Sequence, residues 1–345
     1  MEEIQIKYDP KFPLVSICIP VYNAEKWLNE TLYSAINQTY RNIEIIIVDD
    51  GSSDRSWKII ENYRERYPNI IKTHKQENKG ACAARNKALE LSKGDYIQWL
   101  DADDILANEK IEKQLSAIDF IKKTDVLLSS SFAKFYINSR KSKLISNKLW
   151  QDLIPKYWLL TYLLDPKSIM YPHCWLVSRE NSIKAGLWRE DILLNQDGEY
   201  FSRVVLNSSM VKFVPEAICY YRTGNLGSVS NKKSKKKIVS LIEANISIVQ
   251  NVLEKFNDDE TRSACLFFLK RFYSSILYSD EEIIEIKKLT NYIKSLGGEL
   301  PPKEESRKFA IVKKILGLKR ARELKLFLWN LEVKIRKTLD ALTNF

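Results

Sequence analysis

The sequence predicts an α/β fold with a doubly wound, mainly parallel sheet, followed by a helical C-terminal region. Two observations support this prediction. Up to about residue 125, short apolar runs typical of buried strands alternate with segments whose apolar residues have helical spacing. Strands that alternate with helices of about 10–15 residues indicate a parallel sheet. Beyond about residue 234 the helical spacing continues, with few Pro or Gly before Gly297–Gly298.

The individual elements follow from the same patterns. The predicted buried strands are Val15–Ile19, Ile43–Val48, Ile70–Ile71 and Gly94–Leu100, and the helices between them lie within residues 24–37, around Trp57–Tyr63 and over Gly80–Leu91. A further strand is predicted at Val126–Leu128, where the strict alternation of strand and helix ends. Residues 131–145 then alternate as a hairpin would, and residues 150–164 are aromatic and helical.

The composition is that of an ordinary soluble enzyme. The chain has 345 residues, 45% of them hydrophobic, enough for one sizeable domain and a smaller one. No apolar run approaches the ~20 residues of a membrane span, and the acidic N-terminus is unlike a secretory signal. The five cysteines are scattered without metal-ligand spacing, so we expect them to be reduced and the protein to be cytoplasmic.

The net charge of +11 is concentrated in two places. One is the lysine block at positions 232–237, and the other begins at Pro301, where twelve basic residues face five acidic ones. The basic residues lack the interleaved aromatic side chains of a nucleic-acid-binding surface. We therefore expect local attraction to an anionic partner and no nucleic acid.

An acidic run follows the fourth predicted strand. Asp101, Asp103 and Asp104 stand at its carboxyl end, which is where open α/β sheets bind ligands. Crowded carboxylates repel one another unless a hard cation or several donors offset their charge. The run therefore suits a divalent metal that holds a diphosphate. The alternative is a helix-capping turn, since Asp104 precedes a helical segment.

Two earlier loops also follow strands. Pro20–Asn23 after the first strand can present the Tyr22 ring for a base to stack on, although a simple Pro/Asn turn explains the pattern equally well. After the second strand, a carboxylate of the run Asp49–Ser52 can accept hydrogen bonds from a base or a ribose. The alternative for this second loop is helix capping.

The loop after the third strand runs from Asn78 to Asn86. Gly80 opens a helix there, and the free N–H groups at a helix N-terminus favour anions. Arg85, five residues later, can hold a phosphate or order the acidic run. By itself the segment is equally compatible with a packed helix that carries one surface arginine.

Taken in order, the four loop motifs resemble those of family 2 glycosyltransferases of the GT-A fold. The motifs are Pro20–Asn23, Val48–Asp54, Asn78–Asn86 and Leu100–Asp104. The resemblance is strong over residues 13–125 and looser to about residue 230. It implies a GT-A catalytic domain over residues 1–230, with a donor half at 13–125 and an acceptor half at 126–230. Residues 231–300 are then a helical region, and residues 301–345 form basic amphipathic helices.

The resemblance implies a nucleotide-sugar donor, with UDP favoured as its nucleotide. Tyr22 would stack on the base, Asp50 would accept a hydrogen bond from it, and Asp101 would contact the ribose. Asp103 would bind Mn²⁺ or Mg²⁺ against the donor diphosphate, and Asp104 is a second metal-ligand candidate. The residues implied to bind the donor are Pro20, Tyr22, Asn23, Asp50, Asn78, Gly80, Arg85, Asp101, Arg222 and Ser228.

Transferases of this kind invert the anomeric centre and need a base for the acceptor hydroxyl. Relatives usually carry a Glu-Asp pair at the start of a helix in the second half. Gln196 replaces the glutamate here, and Asp197 matches the aspartate and is the predicted base. Glu199 is the alternative base. The competing interpretation is that Asp197 only caps the helix.

Further residues of the second half are implied to meet the substrates. Arg222 would stabilise the leaving diphosphate, and the loop containing Ser228 would fold over it. Gly224 stands where relatives often place a histidine, so the third protein ligand of the metal is left open. His173 and Trp175 are candidates for lining the acceptor pocket, against the alternative that both are structural.

The C-terminal residues carry an apolar helical stripe from Leu324 to Leu342 that is flanked by basic side chains. Such a helix suits an anionic membrane surface, peripheral on the cytoplasmic face, where a lipid-linked acceptor would be found. It suits packing on the catalytic domain or a second subunit almost as well. The leading function is an inverting transferase that acts on a hydroxyl of a saccharide or lipid-linked glycan. The alternatives are a polyprenyl phosphate acceptor and a non-catalytic sugar-nucleotide-binding protein.

Overall fold

The computed structural model describes residues 12–118, 125–224, 234–276, 284–301, 320, 324, 327–328 and 331–338. The predicted donor-binding residue Ser228, the lysines at 232 and 233 and most of the segment 301–345 lie outside the described residues. The domain boundaries proposed from the sequence therefore stay a prediction.

The first half is the predicted parallel unit. Its strands are β1 (Val15–Val21), β2 (Ile43–Asp50), β3 (Ile71–Gln76) and β4 (Tyr96–Trp99), and its helices are α1 (Leu28–Ile36), α2 (Ser56–Arg66) and α3 (Ala81–Leu91). The strands run parallel in the order β3-β2-β1-β4. Every residue of β2 is buried, as expected for a strand covered on both faces. The carboxyl ends of β1, β2 and β4 thus open on one edge.

The second half extends this sheet with strands of mixed direction. Its elements are β5 (Ile105–Leu106), α4 (Lys110–Ser116), β6 (Val126–Phe135), β7 (Lys143–Leu144), α5 (Pro155–Leu164), β8 (Leu176–Ser178), α6 (Arg179–Ala185), α7 (Gln196–Leu206) and β9 (Met210–Arg222). Over the described residues the sheet order is β3-β2-β1-β4-β8-β6-β9-β5, with β7 paired to β6. The strand β8 is antiparallel to β4, whereas β9 is parallel to β6.

These observations confirm the predicted fold class and the β6–β7 hairpin. The aromatic helix begins at Pro155 rather than near residue 150, because proline fits the first turn, where its missing N–H costs nothing. The short strand β5 pairs with β9, so Ile105 faces Tyr220. This pairing places the residues after the acidic run beside Arg222.

The helical region that follows consists of α8 (Lys235–Lys255), α9 (Asp259–Ile276) and α10 (Ile284–Ser295). Helix α8 braces the start of α7, because Asn195 donates a hydrogen bond from its Nδ2 to Asn245 Oδ1 at 3.0 Å. Among the described helices, none is both long and apolar enough to span a bilayer. We call the helical residues 331–338 the C-terminal segment, and its Val333 is buried.

Candidate active site

The loop after β1 is tied to the loop after β2. Asn23 adopts the left-handed conformation with φ of 48°, which Asn tolerates better than most residues. Its Oδ1 accepts a hydrogen bond from Ser53 N at 2.8 Å, and its own N–H donates to Ser52 Oγ at 3.0 Å. Tyr22 beside it leaves 48% of its surface exposed. A fixed turn therefore presents an open aromatic ring, and the preceding strand runs through Pro20 to Val21.

Asp50 at the end of β2 organises the next loop. Its Oδ1 accepts from Lys79 N at 2.9 Å and its Oδ2 accepts from Gly80 N at 2.8 Å. Gln76 donates to the same carboxylate, and Asp50 is almost fully buried. Asn78 stays exposed at the tip of this loop. Asp50 thus fixes the loop that contains Asn78 and does not present an open carboxylate, so the predicted hydrogen bond to a base does not fit this arrangement.

The acidic run divides into two kinds of carboxylate. Asp101 and Asp103 are partly exposed, whereas Asp104 is 1% exposed. One oxygen of Asp104 lies 2.9 Å from His173 Nδ1, and the other accepts from Arg222 N at 2.8 Å. Burial raises the pKa of Asp104, and the neighbouring His173 opposes this effect. The expectation that Asp104 shares a metal does not fit this inward orientation, because protein groups occupy both of its oxygens.

Arg85 joins the donor and acceptor halves. Its Nη2 donates to Asp101 Oδ1 at 2.7 Å, and its Nη1 donates to Gln196 Oε1 at 3.0 Å. The guanidinium lies on the Trp188 ring, 4.6 Å from the ring centroid, and the residue is buried. Of the two roles predicted for Arg85, the geometry therefore favours ordering of the acidic run.

Asp197 lies in the first turn of α7, next to this bridge. Burial raises the pKa of its carboxyl, the charge of Arg85 lowers it, and the charge of Asp101 raises it again. Gly198 follows, and a Cβ there would lie 2.3 Å from Asn195 Oδ1 and 2.6 Å from the Tyr162 hydroxyl. The turn that carries Asp197 is thus closely packed and places its carboxylate near Asp101.

Arg222 is a packed structural residue. Its side chain is 1% exposed and pairs with Glu30 at 2.7 Å. Its Nε donates to the carbonyl of Asp103 at 2.8 Å, and the guanidinium lies between the rings of Trp27 and Phe135. The expected direct contact between Arg222 and the leaving diphosphate does not fit this arrangement, because its donors are already used to hold the acidic run.

The residues considered for the acceptor pocket are also buried. His173 and Trp175 are fully buried, so neither lines an accessible surface. Glu199 is 1% exposed, pairs with Arg203 at 2.8 Å and accepts a hydrogen bond from Ser247 Oγ. This placement does not suit Glu199 as an alternative base, because no acceptor hydroxyl reaches a carboxylate enclosed in that way.

Two groups of side chains, the His173–Cys174–Cys219 cluster and the Asp103 carboxylate, differ in how well they suit a divalent metal. In the described part of the chain, one group of three ligand-type side chains holds its ligand atoms within 4.8 Å of one another: His173, Cys174 and Cys219. This group is buried and offers nitrogen and sulfur, whereas Mg²⁺ and Mn²⁺ prefer oxygen. Asp103 offers a partly exposed carboxylate at the mouth of the site. One carboxylate together with substrate phosphates is a common Mg²⁺ arrangement, so Asp103 fits such an ion.

Three partners of the site arginines were not predicted from the sequence. Glu30 pairs with Arg222, and Trp188 and Gln196 contact Arg85. Glu30 is the one charged residue of α1, but its partner Arg222 is 192 residues away in the chain, so no local sequence signal marks it. Trp188 has a weak signal, because it follows Gly186 in the aromatic-rich approach to α7. Gln196 was seen only as a departure from the usual glutamate, although its amide oxygen still accepts from Arg85.

The sequence matches the family described as Glycosyl transferase family 2 over residues 16–185. Among curated relatives, the putative glycosyltransferase EpsH of Bacillus subtilis is 30% identical over 72% of this chain and 73% of its own length. The chain belongs to this family. The minor teichoic acid biosynthesis protein GgaB of Bacillus subtilis is 27% identical over 76% of the chain. The chain spans only 28% of the length of GgaB.

A solved structure gives the same fold. The S. aureus TarS fragment 1–349, solved in complex with UDP-GlcNAc, superimposes with a TM-score of 0.65 at 18% sequence identity. The match covers 90% of this chain and 87% of that one. The similarity supports the GT-A fold together with its helical C-terminal region. The matched family region ends at residue 185, before α7 begins at Gln196.

Proposed function

We propose that the protein is an inverting glycosyltransferase that moves a sugar from a nucleotide-diphosphate sugar to a hydroxyl of a saccharide or lipid-linked glycan. The observation that carries this proposal is the Arg85 bridge. It joins Asp101 at the end of β4 to Gln196, beside Asp197. Groups suited to a donor diphosphate and a carboxylate suited to an acceptor hydroxyl therefore meet at one edge of the sheet.

The donor binds with its base on Tyr22, its ribose at Asp101 and its diphosphate at Asp103. Asp50 positions the Asn78–Gly80 loop that walls the base, and the loop containing Asn23 fixes the Tyr22 ring. UDP is the favoured nucleotide, because a pocket of this kind suits a uracil-sized base and TarS has been solved with UDP-GlcNAc. Ser228 belongs to the predicted donor loop.

Asp103 is the proposed protein ligand for Mn²⁺ or Mg²⁺. When bound, the metal would offset the negative charge that develops on the leaving diphosphate. Arg222 holds the Asp103 carbonyl and Asp104 holds Arg222 N, so both residues keep the acidic run in position. Asp104 is therefore proposed as a support for the metal ligand.

Asp197 is the proposed base. An acceptor hydroxyl attacks the anomeric carbon opposite the diphosphate, the C–O bond forms as the bond to the diphosphate breaks, and the proton passes to the Asp197 carboxylate. The raised pKa of Asp197 makes its carboxylate a stronger proton acceptor than an exposed aspartate. Arg85 keeps this carboxylate ionised while restraining Asp101.

The acceptor is proposed to belong to a cell-surface polysaccharide. GgaB takes part in teichoic acid biosynthesis by its name, and it is similar to this chain over most of the chain's length. The exposed apolar residues Leu324, Phe327, Leu328, Leu331 and Ile335 stand near the exposed basic residues Arg320, Lys334 and Arg336. This surface suits an anionic membrane on its cytoplasmic side, where lipid-linked glycans are reached.

The membrane proposal is tested by flotation with phosphatidylglycerol vesicles and with phosphatidylcholine vesicles. We expect the wild type to float with the anionic vesicles and Phe327→Asp to remain in solution. Phe267→Asp is the control, since Phe267 is another exposed aromatic residue but lies on α9. Equal flotation of all three proteins would refute a membrane role for the C-terminal apolar residues.

The donor proposal is tested by calorimetry with UDP, GDP and dTDP, each with and without Mn²⁺. We expect one nucleotide to bind in a metal-dependent way and Asp103→Asn to lose that dependence. Asp259→Asn is the matched control, because Asp259 is an exposed aspartate on α9. Absence of nucleotide binding under every condition would overturn the proposed function.

A polyprenyl phosphate acceptor is the alternative that keeps the same donor. Such an acceptor is already an anion and has no proton for a base to remove. Asp197→Asn therefore separates the two acceptors: it should abolish transfer to a hydroxyl and leave transfer to a phosphate largely intact. Hydrolysis of the donor in water, measured alongside, shows that the variant still binds it.

A further inference from the structure

The acidic run is bordered by the first turns of α1. Thr31 donates a hydrogen bond from its Oγ1 to the carbonyl of Ala102, between Asp101 and Asp103, at 3.0 Å. Trp27, just before α1, contacts two cations: Lys26 Nζ lies 4.4 Å from its ring centroid and the Arg222 guanidinium lies 4.0 Å from it. Positive charge is therefore available on the α1 side of the proposed diphosphate site.

Arg222 does not supply that charge to a bound anion. Its pair with Glu30 and its hydrogen bonds to the carbonyls of Asp103 and Ile137 use its guanidinium within the protein. A leaving diphosphate carries several negative charges and is best stabilised by cations that remain accessible. Beside the metal proposed at Asp103, a cation from elsewhere in the chain would therefore strengthen diphosphate binding.

The C-terminal segment docks beside Arg222. Gly224 has φ of 74°, and a Cβ at this position would lie 3.0 Å from Val333 Cγ1 and 2.9 Å from the Tyr136 ring. Val333 is 5% exposed, and Arg336 interacts with the Tyr136 side chain. Glycine at 224 thus permits both the turn and the close approach of the helix.

Lys337 is one helical turn beyond Val333 and shares its face. It is partly buried, whereas Lys334 is exposed. Because Val333 packs on Gly224, two residues after Arg222, this face of the helix lies toward Arg222. Burial lowers the pKa of Lys337, and the positive charges of Lys26 and Arg222 lower it further. Among the described residues, neither Lys26 nor Lys337 has a carboxylate within ion-pairing distance, while Arg222 is paired with Glu30.

We propose that the C-terminal segment completes the donor site and that Lys337, with Lys26 beside it, binds the diphosphate of the nucleotide sugar. This inference rests on the proposed function, since it concerns the same donor. These two cations lack a carboxylate partner among the described residues and flank Arg222, which holds the Asp103 carbonyl. They form a place for an anion, and the diphosphate is the anion expected there. The catalytic domain and the C-terminal segment would then both contact the donor.

The test measures the affinity of the full-length protein for UDP and for uridine, both with Mn²⁺. We expect Lys337→Gln to weaken UDP binding about tenfold, because one charge-assisted contact is lost. Uridine binding should stay unchanged, because uridine lacks phosphates. Lys334→Gln removes the same charge from the exposed side of the helix and should leave both affinities as in the wild type. Lys337→Arg should restore most of the UDP affinity.

Val333→Asp tests the docking independently. A carboxylate against Gly224 and Tyr136 should detach the segment and weaken UDP binding as much as Lys337→Gln does. Wild-type UDP affinity in Lys337→Gln would overturn the inference and leave the proposed function standing. An equal loss for uridine and UDP, or a loss of vesicle binding alone, would also overturn it. Failure of the wild type to bind any nucleoside diphosphate would overturn both proposals.

Discussion

The parallel half of the sheet, β1–β4, and the mixed half, built from β8, β6, β9 and β5, treat polar side chains differently. In the parallel half the strand ends lead into loops that bond to one another and leave Tyr22, Asn78 and Asp101 partly or fully exposed. In the mixed half Glu199 and His173 turn inward and bond to protein groups. The first half thus presents ligand-binding groups, and much of the second half supports them.

Asp197 is the exception in the mixed half, and its loss should have the largest effect. We expect Asp197→Asn to lower transfer to a hydroxyl acceptor by about 10²–10⁴-fold, because the base is removed while its shape is kept. Glu199→Gln should lower activity far less at a temperature where the variant is folded. The measurement is the initial transfer rate together with UDP affinity. Similar losses in both variants would remove the distinction between the two carboxylates.

Asp104 and Asp103 allow a buried supporting carboxylate to be compared with a partly exposed one within a single loop. We expect Asp104→Ala to lower the free energy of unfolding by about 3–5 kcal/mol, because it leaves His173 and Arg222 N buried without their partner. Asp103→Ala should change it by less than about 1 kcal/mol, since its side chain is partly exposed. Urea denaturation followed by circular dichroism measures both values. Equal destabilisation by the two substitutions would contradict the conclusion that Asp104 faces the protein interior and Asp103 faces the open site.

Arg85 connects the two halves, so its removal tests whether they cooperate. Arg85→Met should lower activity at least about tenfold, because two charge-assisted hydrogen bonds are lost. It should also move the acidic limb of the pH–rate profile upward. The base acts when unprotonated, and removal of a cation that lowers the Asp197 pKa raises that pKa. The profile of kcat/KM against pH checks this, and an unmoved or lower limb would contradict the assignment of the base.

A modest loss of stability is expected at Asn23, where the loop is held by hydrogen bonds of the protein itself. Asn23→Ala should lower the free energy of unfolding by about 1–2 kcal/mol, because it loses the bond to Ser53 N and strains a left-handed residue. Asn23→Gly loses the same bond without the strain and should be less destabilising. Thermal unfolding of both variants makes the comparison. A glycine variant as unstable as the alanine variant would show that strain contributes nothing here.

The fold and the common edge of the loops after β1, β2 and β4 could be predicted because parallel strands constrain them. Once β1, β2 and β4 are placed in one parallel sheet, Tyr22, Asp50 and Asp101 must meet at the same edge. Strand periodicity and loop order are local properties of a sequence, so they can be predicted without a structure. The antiparallel position of β8 could not be predicted from the sequence, since it depends on a pairing with β4 that no local pattern specifies.

The orientation of individual site residues could not be predicted. Asp103 and Asp104 are adjacent and chemically identical, and only the distant Arg222 and His173 make Asp104 face inward. Arg222 looked like a phosphate ligand because its partner Glu30 is 192 residues away in the chain. The docking of Val333 on Gly224 likewise joins distant segments, and an apolar helical stripe alone does not reveal which side is covered.

The Arg85 bridge limits how acceptor specificity can be exchanged between relatives. Arg85 on α3 joins the two halves with a single side chain, because it donates one hydrogen bond to Asp101 after β4 and one to Gln196 at the start of α7. A hybrid enzyme that kept this donor half and received a foreign α7 would need a side-chain oxygen opposite Arg85 where Gln196 now stands. Glutamate, the residue that the family resemblance implies at this position, would satisfy that requirement. The junction is therefore a natural splice point for engineering transferases with new acceptors.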